Sequence, residues 1–98
     1  MPIRFADMEA DPATRRVSRA GRSIVLRPKE YDLLVALMRR SGELVTRREL
    51  LVEVWGYRED VTSRTVDTHV ATLRRKLGHA PDEIGYIMTV AKTGYRLR

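Results

Sequence analysis

SRTVDTHVATLRRKL, residues 63–77, carries apolar side chains at Val66, Val70, Leu73 and Leu77. At about 100° per residue, these four fall within roughly 60° of one another on a helix, a narrow stripe that turns toward a core. The opposite direction holds Arg64, Thr68, Ala71, Thr72 and Arg75. A plain solvated helix face mixes long side chains of both signs along its length. Here the centre is small and hydroxylated, the ends are arginine, and the single acid, Asp67, lies to one side. A helix that enters the major groove of DNA needs small or short polar residues where its backbone nears base edges, and Arg or Lys where it passes phosphates. The pattern by itself leaves a groove-inserting face and a solvated face both open.

The neighbouring segments narrow the choice. Thr46-Arg-Arg-Glu49 is a capping box, with Val45 and Leu50 as its hydrophobic staple, and it predicts a helix whose buried stripe is Leu50, Leu51 and Val54. Gly56 suits a left-handed close to that helix, and Thr62 or Ser63 suits the cap of the next, which stops near Gly78. Upstream, Pro28 fits a first helical turn, and Tyr31, Leu34, Val35 and Met38 recur at helical spacing until Ser41-Gly42. The alternation of Ile3 with Phe5 and of Ile24 with Leu26, broken at Asp11-Pro12 and Ala20-Gly21, predicts a small antiparallel sheet. After a loop with Ala80-Pro81, the segments Tyr86–Val90 and Tyr95–Arg98 predict a C-terminal hairpin. Two helices followed by a hairpin with Lys92 at its tip read as a helix-turn-helix with a wing.

Ninety-eight residues, 43% hydrophobic and 33% charged, make one globular domain and leave no room for a second. Nineteen basic residues against thirteen acidic give a net charge of +6, which favours a polyanion, an anionic membrane surface or an acidic protein patch as partner. The excess is uneven. Residues 1–28 hold six Arg against three acids, residues 29–63 sum to −1, and residues 64–77 hold four basic residues against Asp67. Without cysteine there are no disulfides or thiolate metal sites, and a reducing cytosol fits. The longest apolar run, Leu33–Met38, is too short for a membrane span, and the Met-Pro-Ile-Arg start resembles no targeting segment. The expectation is a soluble cytoplasmic domain with no membrane partner.

The runs LRPKEYDLLVALMRRSGELVTRRELLVEVWGY, SRTVDTHVATLRRKLG and YIMTVAKTGYRLR closely resemble the winged-helix output domain of OmpR/PhoB-type bacterial response regulators. The resemblance covers Leu26–Arg98, with a looser fit of residues 3–25 to that family's N-terminal four-stranded sheet. It implies an α+β fold in one domain over residues 1–98: a sheet at 1–27, a three-helix core with the helix-turn-helix at 28–78, and a hairpin wing at 84–98. It also implies sequence-specific binding of double-stranded DNA and transcription regulation within a two-component phosphorelay. The third helix is then expected in the major groove and the wing near the minor groove. Carried over by position, Arg64, Thr65, Thr68 and Thr72 face DNA, Arg74 and Arg75 lie near its backbone, and Lys92 stands at the wing. Tyr57, Arg58, Glu59 and Asp60, in the Gly56–Thr62 connection, fall where activating members of the family meet RNA polymerase. Tandem dimers on direct repeats, from a domain that is a monomer in isolation, are the family's habit. Its usual N-terminal receiver domain has no counterpart here, so an excised domain and a stand-alone regulator both stay open. Two positions depart from the pattern: Arg27 replaces the Thr that caps the first helix, and Ala91-Lys92 replaces the Arg-Gly of the wing. A lysine is a flexible point charge, better suited to phosphate than to a narrow A·T-rich groove.

Other residues read as structural. His69 lies on the flank of the third helix and His79 in a loop, and neither has the convergent donors that a metal needs. Trp55, Tyr31 and Tyr95 read as core, and Glu49 is explained by its capping box. Arg15, Arg16, Arg19 and Arg22 read as a solvated sheet face. There is no HExxH, glycine-rich phosphate loop, nucleophile elbow or buried carboxylate pair, so neither an enzyme nor a cofactor is expected. The surviving rival is a winged helix that binds protein.

Overall fold

The computed structural model of the chain describes residues 2–56, 58, 60–78 and 86–98. Strands β1 (Ile3–Phe5), β2 (Met8–Asp11), β3 (Arg16–Arg19) and β4 (Arg22–Ile24) pair antiparallel in chain order. Arg19 opposes Arg22 across a two-residue turn in which Ala20 and Gly21 both have positive φ, 50° and 79°, the conformation whose twist matches that of the flanking strands. Met8, Ala10 and Val17 supply the buried face. Leu26 packs on the core beyond the last paired residue of β4.

Helix α1 (Pro28–Arg39) opens without a hydroxyl cap, since Arg27 stands at the cap position. A guanidinium has no acceptor atom, so Arg27 cannot cap, and what remains is the reciprocal half of a capping box: Arg27 N donates to Glu30 Oε1 at 2.9 Å. The predicted stripe of Tyr31, Leu34, Val35 and Met38 is buried, but so are Leu33 and Leu37. The helix lies at the centre, against β1, α2, α3 and the C-terminal strand together, so one stripe understates what it must bury. Its Glu30, 3% exposed, pairs with Lys76 at 2.5 Å.

Strand β5 (Val45–Thr46) then leads into α2 (Arg47–Trp55). The capping box forms in both directions: Glu49 N donates to Thr46 Oγ1 and Thr46 N to Glu49 Oε1, each at 3.0 Å. Gly56 closes the helix at φ 66°. Leu50, Val54 and Trp55 are buried, while Leu51 is half-buried. Helix α3 (Ser63–Lys76) follows, and its apolar stripe of Val66, Val70, Leu73 and Leu77 is at most 1% exposed. Thr62 occupies its cap position in extended conformation, but its hydroxyl makes no capping bond.

The chain ends in the hairpin of β6 (Ile87–Val90) and β7 (Gly94–Leu97). The short β5 pairs with β7, so the wing belongs to a three-stranded sheet ordered β5-β7-β6. Gly94 makes that pairing possible, because a Cβ there would land on the Val45 carbonyl and the Thr46 Cα.

Candidate nucleic-acid interface

The apolar stripe of α3 fixes where its other side points. Arg64, Thr68, Ala71 and Arg75 are exposed and Thr65 and Thr72 half-buried, in one strip along the outer face. Among the described residues, the side chains of Arg64 and Arg75 have no ion pair and no hydrogen bond. Thr68 Oγ1 donates to Arg64 O at 2.9 Å, and Thr72 Oγ1 donates to Thr68 O at 3.2 Å. With their protons turned back onto the helix, these hydroxyls offer outward a methyl group and oxygen lone pairs. The strip is therefore a short, weakly accepting surface bracketed by two unneutralised cations.

Lys92 lies at the tip of the wing, exposed, at φ 59°, in a turn closed by Thr93 N donating to Val90 O at 3.0 Å. It too has no partner among the described residues. Both termini of the strip and the wing tip thus carry open positive charge.

The single acid of α3 is held away from that charge. Asp67 Oδ1 accepts from Arg47 Nε at 2.7 Å and from the Tyr95 hydroxyl, which joins α3 to α2 and β7. Partial burial alone would raise the Asp67 carboxyl, but the bonds from Tyr95 and Arg47 outweigh it and hold the group below the usual carboxylate range. Burial and the bond to Asp67 push the Tyr95 hydroxyl above its ordinary value, so it remains a donor. Arg74 lies on the same flank. Its Nε and Nη2 donate to Ile87 O at 3.2 and 2.9 Å, and Nη2 donates to Thr89 Oγ1 at 2.7 Å. Asp67 and Arg74 are seven residues apart, two helical turns, and this spacing is the sequence signal that both face the wing.

The remaining candidates are structural in their contacts. His69 Nδ1 lies 2.8 Å from Thr65 O and its ring packs edge-on at 5.0 Å from that of Trp55. Arg15 donates to Asp32 at 2.8 Å and to Pro28 O at 3.3 Å, and lies over the Tyr31 ring. Arg19 donates to Leu77 O at 2.6 Å, at the end of α3, and to the Tyr86 hydroxyl at 3.0 Å. Arg16 and Arg22 are exposed on the sheet. In the connection after α2, Arg58 grips Asp60 through two bonds of 3.1 and 3.0 Å. Tyr57 and Glu59, like His79 and the Ala80-Pro81 loop, lie outside the described residues.

A helix pair, an open cationic outer face on the second helix and a hairpin beside it define a winged helix-turn-helix domain. The family described as "Transcriptional regulatory protein, C terminal" matches residues 21–97, and the chain belongs to it, within the OmpR/PhoB type. The DNA-binding response regulator MtrA of Mycolicibacterium paratuberculosis is 42% identical over 96% of this chain and 42% of its own length. The transcriptional regulatory protein VxrB of Vibrio cholerae is 43% identical over 95% of this chain and 36% of its own. The chain thus spans roughly two fifths of the curated relatives it matches. Among solved structures, the RstA DNA-binding domain of Klebsiella pneumoniae, in complex with its RstA box, superposes with a TM-score of 0.87 at 31% identity, covering 98% of this chain and 95% of that one. The AdeR DNA-binding domain, in complex with an intercistronic region, gives 0.83 at 28% identity, covering 97% of this chain and 96% of that one.

Proposed function

We propose that this domain binds double-stranded DNA sequence-specifically and regulates transcription as the output part of a two-component response regulator. The observation that carries the reading is the uncovered outer strip of α3, small at its centre and ended by two unpaired arginines. A helix with its side chains is about 10–12 Å across and fits a major groove about 12 Å wide. Arg64, Thr65, Thr68 and Thr72 then meet base edges and the nearer phosphates, Arg75 meets the backbone, and Lys92 meets phosphate beside the minor groove. The amides of the first turn of α3, left without a side-chain cap, add a partial positive charge at the end where Arg64 stands. The relatives named as DNA-binding regulators and the two domains bound to their DNA sites support the same reading.

The finer elements rest on family membership. Two copies bind in tandem on direct repeats about one helical turn of DNA apart. The Gly56–Thr62 connection, with Tyr57, Arg58, Glu59 and Asp60, meets RNA polymerase, and the protein works in the cytoplasm under a phosphorylated receiver domain. The deciding experiment is fluorescence anisotropy on duplexes selected from a random pool, over a range of salt. Neutralising about five phosphates gives a log–log slope near −4.5. A flat response sinks the reading in favour of a protein partner.

A further inference from the structure

Arg74 is basic, sits on α3 and follows the DNA-facing strip, so position alone makes it a phosphate ligand. Its geometry assigns it other work. The guanidinium donates three bonds to the wing, two to Ile87 O and one to Thr89 Oγ1. Its Cζ lies 5.7 Å from the centre of the Tyr95 ring, and that of Arg47 lies 4.9 Å from it. The Tyr95 hydroxyl in turn donates to Asp67, two turns back along α3 on the same flank. Both strands of the wing are thus fastened to one side of α3, β6 through Arg74 and β7 through Asp67. Toward the tip one backbone bond, from Arg47 N to Thr93 O at 3.2 Å, ties the hairpin to the start of α2, and among the described residues the exposed side chains of Ala91, Lys92 and Thr93 add no tie to α3.

We infer that Arg74 is a positioning residue: it fixes the wing against α3, so that Lys92 and the outer strip of α3 reach DNA as one rigid body. With Nε and both Nη2 protons engaged, Nη1 alone stays free among the described residues, so neither two-nitrogen edge of the fork can clasp a phosphate without releasing these bonds. The charge of Arg74 therefore acts through the place it gives Lys92. Two surfaces held at a fixed separation bind cooperatively, whereas a loose wing must be ordered during binding and loses that advantage. The inference rests on the DNA-binding reading for its consequence, though not for its structural half.

The test starts on the free protein. Amide hydrogen exchange over residues 87–97 is compared between wild type, Arg74→Ala and Thr89→Val, the last removing one acceptor at nearly constant shape. Exchange across the hairpin rises about tenfold in Arg74→Ala, and by less in Thr89→Val, while α1 keeps its protection. Unchanged exchange in both variants overturns the inference. The second arm measures duplex affinity against salt for Arg74→Ala, Lys92→Ala and the double variant. A strut predicts that Lys92→Ala adds little once Arg74 is gone. Losses that multiply, each with its own slope change of about 0.9, make Arg74 a phosphate ligand and overturn the inference. Should the wild type bind no duplex at all, the DNA reading falls while the exchange arm still decides whether Arg74 holds the wing.

Discussion

The N-terminal sheet and the α3 segment carry the same net charge of +3, in residues 1–28 and 64–77 respectively, yet they use their arginines in opposite ways. In the sheet, Arg15 is tied to Asp32 and Arg19 to Leu77 O and Tyr86, so these cations fasten the sheet to α1 and to the end of α3. On the outer strip of α3 the order is reversed: Asp67 is neutralised by Arg47, and the cations facing outward are left open. Shape separates the two further. Four strands spaced about 4.8 Å apart make a backbone slab about 14 Å wide, broader than a major groove of about 12 Å. A basic balance thus says that a polyanion is welcome, and the packing says where.

The largest expected effect comes from making one substitution in the N-terminal sheet and in the wing beside α3. Gly94→Ala drives a methyl into the Val45 carbonyl at the root of the wing, and should cost about 3 kcal/mol or more, because backbone cannot step aside as a side chain does. Gly21→Ala in the sheet meets nothing within 4 Å. It pays only for a left-handed alanine, about 1 kcal/mol. Thermal unfolding of the two variants should differ accordingly, and equal losses would mean that β5 does not pair with β7 as described. Next in size, Arg75→Ala should weaken binding to every duplex about tenfold, in keeping with a charged contact to phosphate. Arg16→Ala, at an arginine likewise exposed but on the sheet, should leave affinity unchanged. Comparable losses from both would erase the distinction between the two basic regions.

What the sequence reveals of this arrangement is its local part. The capping box of Thr46 and Glu49, the left-handed Gly56 and the stripe of α3 depend on neighbours within four residues, and each is present in the fold. Contacts that join distant segments leave weaker traces. β5 is two residues long, and its partner strand begins about fifty residues on, so no alternation announces it. Leu33 and Leu37 are buried because α1 is packed from several sides, which a single amphipathic stripe does not express. Thr62 has the right side chain for a cap and sits in the right place, but makes no bond. The engagement of Arg74 with Ile87 O is invisible to residue type, since a backbone carbonyl has no signature in sequence.

Acid should loosen the two flanks of α3 through different groups, Glu30 where α1 meets Lys76 and Asp67 where the wing and α2 meet it. The Glu30 carboxyl feels a burial cost that raises it, but the bonds from Lys76 and Arg27 N hold it below its ordinary value of 4.5, and Asp67 is likewise held below 3.8. A depressed carboxylate contributes stability that is present above its unfolded pKa and lost as pH falls through the folded one. Stability should therefore be flat near neutrality and fall below about pH 4.5. Glu30→Gln should be less stable than wild type at pH 7 and approach it as pH drops, because the charge it lacks is then gone from both. In Asp67→Asn the same convergence should appear at lower pH, and in the exchange of β7 amides rather than of α1. A constant gap between either variant and wild type across pH 3–7 would show that these pairs do not act through charge.

The smallest effect divides the work of a single threonine. Thr68 gives its hydroxyl proton to Arg64 O, so it can meet a base through its methyl group or by accepting a hydrogen bond, but not by donating one while that bond stands. Thr68→Val keeps the methyl and removes the acceptor; Thr68→Ser does the reverse. A thymine methyl on the partner base predicts that Val retains the wild-type order of preferred sites while Ser loses about 1 kcal/mol of it, roughly fivefold. An amino group of cytosine or adenine predicts the opposite ranking. Total affinity should change little in either case, because phosphate contacts carry most of it. Ranked enrichment of selected duplexes therefore reads the difference, and identical rankings for wild type, Val and Ser would remove Thr68 from base recognition altogether.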